Sequence, residues 1–270
     1  MFIGEGGNGK GQVLSLLREF LGNQNFSGIP LQKLEGSDFK ECELFGKLAN
    51  IGADISDAPL KTTAKIKGLS GGDSISASRK FKQDIIFENE AKLIFSANKL
   101  PKTYDLTRAF FRRWVYIVFP YKFMSQQEID TIPEDKRENI KLKKDEVVKD
   151  LLDPKEMSGL LNKCLDGLNN LLENGDFTSS KTSQDTMDWW INHSDSLLGF
   201  CYSELIEEVD SNLNKDIFRK HYQSYCRKNR VPAEGDKHIK ETLTRIFHAW
   251  DYQESNGERV WGGINLKCLI

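Results

Sequence analysis

The chain has 270 residues, 39% hydrophobic and 29% charged, with a net charge of −2. That length buries a sizeable core and predicts a medium domain plus a small one, while the charge excludes a globally basic nucleic-acid binder, so any such partner must meet local patches. No apolar run approaches the ~20 residues that span a bilayer and no basic-then-apolar leader opens the chain, which predicts a protein of the cytoplasm, or of a host replication compartment, with no membrane partner.

Residues 1–120 read as α/β. "MFI" is the tail of a strand, "GEGGNGKG" a loop, and "QVLSLLREFLG" a helix closed by Gly22. "KLANIGADI" and "AKLIFSAN" are apolar runs of strand length, and "RWVYIVFP" is a third, stopped by Pro120. Short strands separated by helical or turn-rich segments predict a mainly parallel sheet with helices packed on it. So little chain precedes the loop that its feeding strand is nearly missing, as expected of a piece of a longer polypeptide.

Residues 121–195 read as a mixed-charge connection and a helical layer. Within them Leu160, Leu161, Cys164, Leu168, Leu171 and Leu172 fall on one helical stripe, expected to pack on the core. Residues 196–270 form the small domain. "NKDIFRKHYQSYCRKN" and "GDKHIKETLTRIFHAW" are amphipathic helices, and an Asn256-Gly257 turn then joins two extended runs. Helix, helix, hairpin is the order of a winged helix, and nine Lys or Arg against four acids between Lys215 and Arg245 suit DNA contact. The five cysteines and four histidines are scattered without ligand spacing, which argues against a disulfide framework or a zinc site.

Gly4, Gly9 and Lys10 fit G-x-x-x-x-G-K, a turn whose backbone N–H groups converge on phosphate oxygens while the lysine reaches the terminal phosphates. Gly4, Gly6, Gly7, Asn8, Gly9, Lys10, Gly11 and Gln12 are the candidate nucleotide-binding residues. Gly11 stands where a Ser or Thr hydroxyl would ligate Mg²⁺, and a water can fill that coordination position. An acid ending a buried strand suits a metal ligand or a base for the attacking water, and "LANIGADISD" offers Asp54, with Asp57 as its alternative or as a turn cap. Asn98, directly after "KLIFSA", could orient that water. Arg112 and Arg113 precede the third strand, as a transition-state finger or a solvated pair. Between acid and amide, residues 61–82 carry six basic side chains and one acid around Gly71-Gly72. Lys67, Arg79, Lys80, Phe81 and Lys82 are the candidates there for tracking a phosphate backbone and stacking on a base, against the plain reading of a solvated charged face.

In this order the motifs resemble a superfamily 3 helicase of the kind found in poxviruses, phages and plasmids, often as the C-terminal half of a primase–helicase. "GEGGNGKG" resembles motif A, "LANIGADISD" motif B, "IKGLSGGDSISASRKFK" the B′ motif, "KLIFSANKLP" motif C, and "FRRWVYIVFP" the segment bearing the arginine finger. The resemblance implies an α/β fold with a P-loop AAA+-like ATPase core, a helical layer and a C-terminal winged-helix domain. It implies ATP and Mg²⁺ as cofactors, a homo-hexameric ring, single-stranded DNA as partner, 3′ to 5′ movement, and a primase domain or protein nearby. Lys10 then binds phosphate, Asp54 holds the metal and water, and Asn98 senses the γ-phosphate. Arg113 is the finger with Arg112 behind it, and Arg79, Lys80 and Phe81 touch DNA. Two departures stand out: the paired acids of motif B are separated here, and Gly11 lacks a hydroxyl. They keep open a non-catalytic subunit that holds nucleotide within a replication complex. A small-molecule P-loop kinase fits less well, because it needs neither the basic hairpin nor the DNA-binding tail.

Overall fold

The apolar runs pair side by side in a computed structural model that describes the whole chain except residues 37–39, 54, 80–81, 145–146, 179–180, 230 and 270. Two compact units divide it, Met1–Thr186 and Met187–Ile270.

The first unit opens with β1 (Phe2–Ile3), α1 (Lys10–Leu21), β2 (Phe26–Ser27), α2 (Leu31–Gly36) and β3 (Ala49–Gly52). Next come α3 (Ala64–Leu69), the strands β4 (Ser74–Arg79) and β5 (Lys82–Glu88), then β6 (Lys92–Ala97), α4 (Arg108–Phe111) and β7 (Ile117–Val118). Five of the strands form one sheet in the order β2-β3-β6-β1-β7, and every pairing in it is parallel. The fold is therefore mixed α/β around a parallel sheet. All four residues of β3 are buried, as are the last three of β6, the continuous burial typical of inner parallel strands. Leu14 of α1 packs on Ala49 and Ile51, with Phe2, Leu17, Leu21, Phe26 and Ile94 around them, so the i, i+3, i+7 face of α1 covers the sheet. Gly22 ends that helix with φ 79° and donates its N–H to Arg18 O at 2.9 Å. Antiparallel β4 and β5 form a hairpin inserted between β3 and β6.

"RWVYIVFP" pairs over less of its length than its composition suggests. β7 meets only Phe2 and Ile3 of its partner, and as an edge strand it leaves Ile117 and Val118 half exposed. Ahead of it, Phe110, Phe111 and Trp114 are buried and stack edge-on or tilted with one another and with Phe95 of β6.

The unit continues with β8 (Lys122–Met124), α5 (Gln126–Asp130), β9 (Ile140–Leu142), α6 (Val147–Leu151) and α7 (Pro154–Asn174). Asp153 caps α7 by accepting from Lys155 N at 2.9 Å, and Gly175 closes it at φ 69°. None of its residues is buried: of the stripe expected on the core, Leu161, Cys164, Leu168 and Leu172 are exposed, Leu172 at 72%, and Leu160 and Leu171 only half-buried. Helical periodicity reveals an apolar face without saying what it meets.

The second unit contains most of α8 (Ser183–Ser194), then α9 (Ser196–Glu204), β10 (Leu205–Asn214), α10 (Lys215–Asn229), α11 (Asp236–Ile246), β11 (Trp250–Gln253) and β12 (Arg259–Leu266). An antiparallel sheet runs β10-β12-β11, and Gly257 at φ 86° makes the turn between the last two strands. Phe200 of α9 is the centre of this core, with Phe218, Tyr222 and Tyr225 ringed about it at 5.3–5.6 Å. The middle of β10 is exposed, acidic and bulged between Glu207 and Asn212, so its sequence carries no strand alternation. Among the described residues no helix is long and apolar enough to cross a membrane.

One buried amide holds the β2 end of the large sheet. Asn50, fully buried, accepts from Ser27 Oγ at 2.9 Å and Ile29 N at 2.8 Å and donates to Ile29 O at 3.0 Å. Asn50→Leu keeps the volume but strands three buried polar groups, so we expect a loss of about 2–4 kcal/mol in urea unfolding. A change below about 0.5 kcal/mol, the range of ordinary surface substitutions, would contradict this.

Candidate functional site

The loop after β1 is built from close approaches. Gly4 N donates to Ala97 O at 3.3 Å, and a Cβ at Gly4 would stand 2.6 Å from the Phe119 carbonyl and collide with the Asn8 amide. Gly7 and Gly9 take φ 77° and 86°, the left-handed region that favours glycine. Gly9 precedes α1 without a side-chain cap, and in the first turn Lys10 N donates to Asn8 Oδ1 while Gln12 N donates to Gly9 O. Gly6, Gly11 and Gln12 are exposed along the same mouth.

Lys10, the first residue of α1, is only 5% exposed. Its Nζ donates to Gly4 O, to Glu5 O at 3.3 Å, to Asn8 Oδ1 at 3.1 Å and to Asn98 Oδ1 at 3.1 Å. Asn8, also buried, braces the loop by donating to Phe119 O at 3.3 Å and accepting from Lys10 N at 3.3 Å. Asn98, an exposed residue, follows β6, the neighbour of β1, and its Oδ1 accepts from Lys10. The structure thus brings Lys10, Asn8 and Asn98 together at the carboxyl ends of adjacent parallel strands, where open α/β sheets bind ligands.

The remaining candidates are placed unequally. Asp54, Lys80 and Phe81 lie outside the described residues. Ile55 N donates to Ser96 O at 2.9 Å, which pins the segment after β3 beside the end of β6, and Asp57 is exposed in the bend beyond it. Arg112 is exposed, whereas Arg113 is half buried with Nη1 donating to Ala109 O and Nη2 beside Gly71. Arg79 and Lys82 pair across the end of the β4–β5 hairpin.

Lys67 is bound into the base of that hairpin. It forms a 2.8 Å ion pair with Asp105, which also accepts from Thr63 Oγ1 and, at 3.0 and 2.5 Å, from Thr107 N and Oγ1. Burial alone would raise the Asp105 carboxyl, but the hydrogen bonds from Lys67, Thr107 and Thr63 outweigh it and hold it well below the usual range. Lys65 likewise pairs with buried Glu41 at 2.7 Å. Part of the basic run therefore anchors the hairpin's base.

In the second unit a cleft of 550 Å³ lies between α10, α11 and the β11–β12 hairpin. Three of its cations are matched by acids: Lys215 bonds Asp251 at 2.5 Å with its Nζ 4.0 Å above the Trp261 ring, Lys240 reaches the same carboxylate at 3.4 Å, and Arg219 pairs with Asp236 at 2.8 Å. Sequence spacing gave no hint that His238 would bond Asp195 at 3.1 Å beside Glu234. The other Asp195 oxygen accepts from Leu198 N, capping α9.

A family model described as a family of unknown function (DUF5906) matches residues 2–113. No curated protein matches the chain. Among solved structures, an A form apo structure of the NrS-1 C-terminal region is 14% identical with a TM-score of 0.36, covering 98% of this chain and 66% of that one. A second, of NrS-1 residues 305–718, is 16% identical with a TM-score of 0.34, covering 97% and 65%. This chain thus spans about two thirds of the length of the proteins it resembles.

The Asp105 network is testable by pH. A carboxyl depressed in the folded state contributes stability above its unfolded pKa, about 3.9, and loses it as pH falls toward the folded value. We expect Asp105→Asn to cost about 1–2 kcal/mol at pH 7, with the gap to wild type narrowing below about pH 4. A gap in thermal stability that stays constant from pH 7 to pH 2.5 would contradict the assignment.

Proposed function

We propose that this chain is the motor part of a replicative DNA helicase of the superfamily 3 type. It binds ATP with Mg²⁺ on residues 4–12, hydrolyses it between subunits of a homo-hexameric ring, and moves on single-stranded DNA, with a primase domain or protein as its partner. The observation that carries this reading is the 3.1 Å contact of Lys10 Nζ with Asn98 Oδ1. It joins a cation suited to terminal phosphates, at the start of α1, with an amide suited to orienting water, just after the neighbouring strand β6.

Each remaining part has a role. The first-turn N–H groups of α1 hold phosphate oxygens. Asp54 ligates the metal and its water, with Asp57 as the alternative, and at Gly11 a water completes the coordination. Arg112 and Arg113 precede β7, the edge strand beside β1, where a neighbouring subunit would be met. Exposed Arg112 is free to reach across to that neighbour's nucleotide, whereas Arg113 must first leave the Ala109 carbonyl. The β4–β5 hairpin, with Arg79 and Lys82 paired at its end, grips single-stranded DNA. The helix, helix, hairpin order of the second unit supports a winged-helix domain.

The test is ATP hydrolysis with and without single-stranded DNA. We expect stimulation by DNA, loss of turnover in Lys10→Ala, and a fall of about 10³-fold in Arg113→Ala, the finger that the resemblance implies, with Arg112→Ala as the alternative. Because the finger acts in trans, mixing Lys10→Ala subunits with finger-variant subunits should restore part of the rate. Nucleotide binding without turnover, with DNA present, would replace this reading by that of a nucleotide-holding assembly subunit.

A further inference from the structure

The strand that leaves the arginine segment returns to the phosphate loop and lays two side chains along it. Phe119 N donates to Ile3 O at 2.7 Å, and Phe123 N donates to Gly7 O at 2.7 Å, so residues 119–123 bond to the end of β1 and to the loop that follows it. Between them, Lys122 follows Gly7: a Cβ at Gly7 would lie 3.8 Å from its Cγ and 4.0 Å from its Cε. The Phe123 ring lies beside Gly9, 3.5 Å from where a Cβ there would stand, at the start of α1. Phe123 is 40% exposed. Both side chains lie at ordinary contact distance from the loop, whose glycines at 7 and 9 are required by their positive φ rather than by space.

We propose that Phe123 is the stacking platform for the base of the bound nucleotide and that Lys122 is a second cation for its phosphates. This inference rests on reading residues 4–12 as a nucleoside triphosphate site. Polyphosphate on the α1 N-terminus leaves the nucleoside to run out of the loop mouth, and the aromatic face bordering that mouth is Phe123. Base–aromatic stacking tolerates any base, so the platform supplies affinity for a nucleoside as such. Lys122 acts at longer range than Lys10, because it is exposed and also lies within reach of the Glu128 charge. Its effect should therefore be smaller and should weaken with salt.

The distinguishing measurement is calorimetric binding of ATP and of inorganic tripolyphosphate to the full chain. Phe123→Ala should weaken ATP about tenfold and leave tripolyphosphate within about twofold, while Phe123→Tyr restores ATP affinity. Lys122→Gln should weaken both compounds alike, by about threefold at low salt. Equal losses of ATP and tripolyphosphate in Phe123→Ala, or none in either, would overturn the stacking role while leaving the phosphate loop intact. A wild-type chain that binds neither compound would overturn the loop assignment and this inference together. Thermal melting of each variant identifies any that has lost its fold, and Phe123→Tyr then decides the stacking role.

Discussion

A lysine ammonium that is 5% exposed can remain charged only where oxygens surround it, and the first unit is arranged to provide them. Gly4 and Glu5 lend carbonyls from the loop, Asn8 lends an amide oxygen from within it, and Asn98 lends another from the next strand. These demands fix much else. β1 and β6 must be neighbours, the loop must turn tightly enough to require glycine at 7 and 9, and residues 119–123 must close over it. On the proposed nucleotide reading, a polyphosphate would offer the same ammonium oxygens of higher charge.

A good share of this was legible in the sequence. The glycine spacing announced a tight turn into a helix, and two apolar runs announced buried parallel strands, because both signals are local. Asn98 was legible for the same reason, as a polar residue stopping a strand-length run. What stayed hidden depends on long-range pairing. Asn50 reads as one polar interruption in an apolar run, and its part in joining β2 to β3 emerges only when residue 29 lies beside it. Asp105 sits in an ordinary turn sequence, yet it draws in Thr63 and Lys67 from about forty positions earlier.

Charge and hydrophobicity misled in a complementary way. The basic run between residues 61 and 82 reads as one patch, but folding divides it into Lys65 and Lys67, which pair with acids at the base, and the residues at the hairpin's end. The stripe on α7 reads as core because most such stripes are, and its exposure follows from what packs nearby rather than from its own sequence. The two adjacent arginines are separated in a similar way. Burial of Phe110, Phe111 and Trp114 fixes the turn so that Arg113 folds back on Ala109 and Arg112 stands in solvent. No pattern in "FFRRW" distinguishes them.

On the proposed reading, Lys10 and Asn98 act on the same phosphate as a coupled pair. The most direct test is a double-mutant cycle on ATP affinity, using wild type, Lys10→Met, Asn98→Ala and the double variant. Coupling predicts a double variant scarcely weaker than Lys10→Met alone, with an interaction energy of about 1 kcal/mol or more. Strictly additive losses would mean that the two residues serve separate ends, and would contradict the site as described.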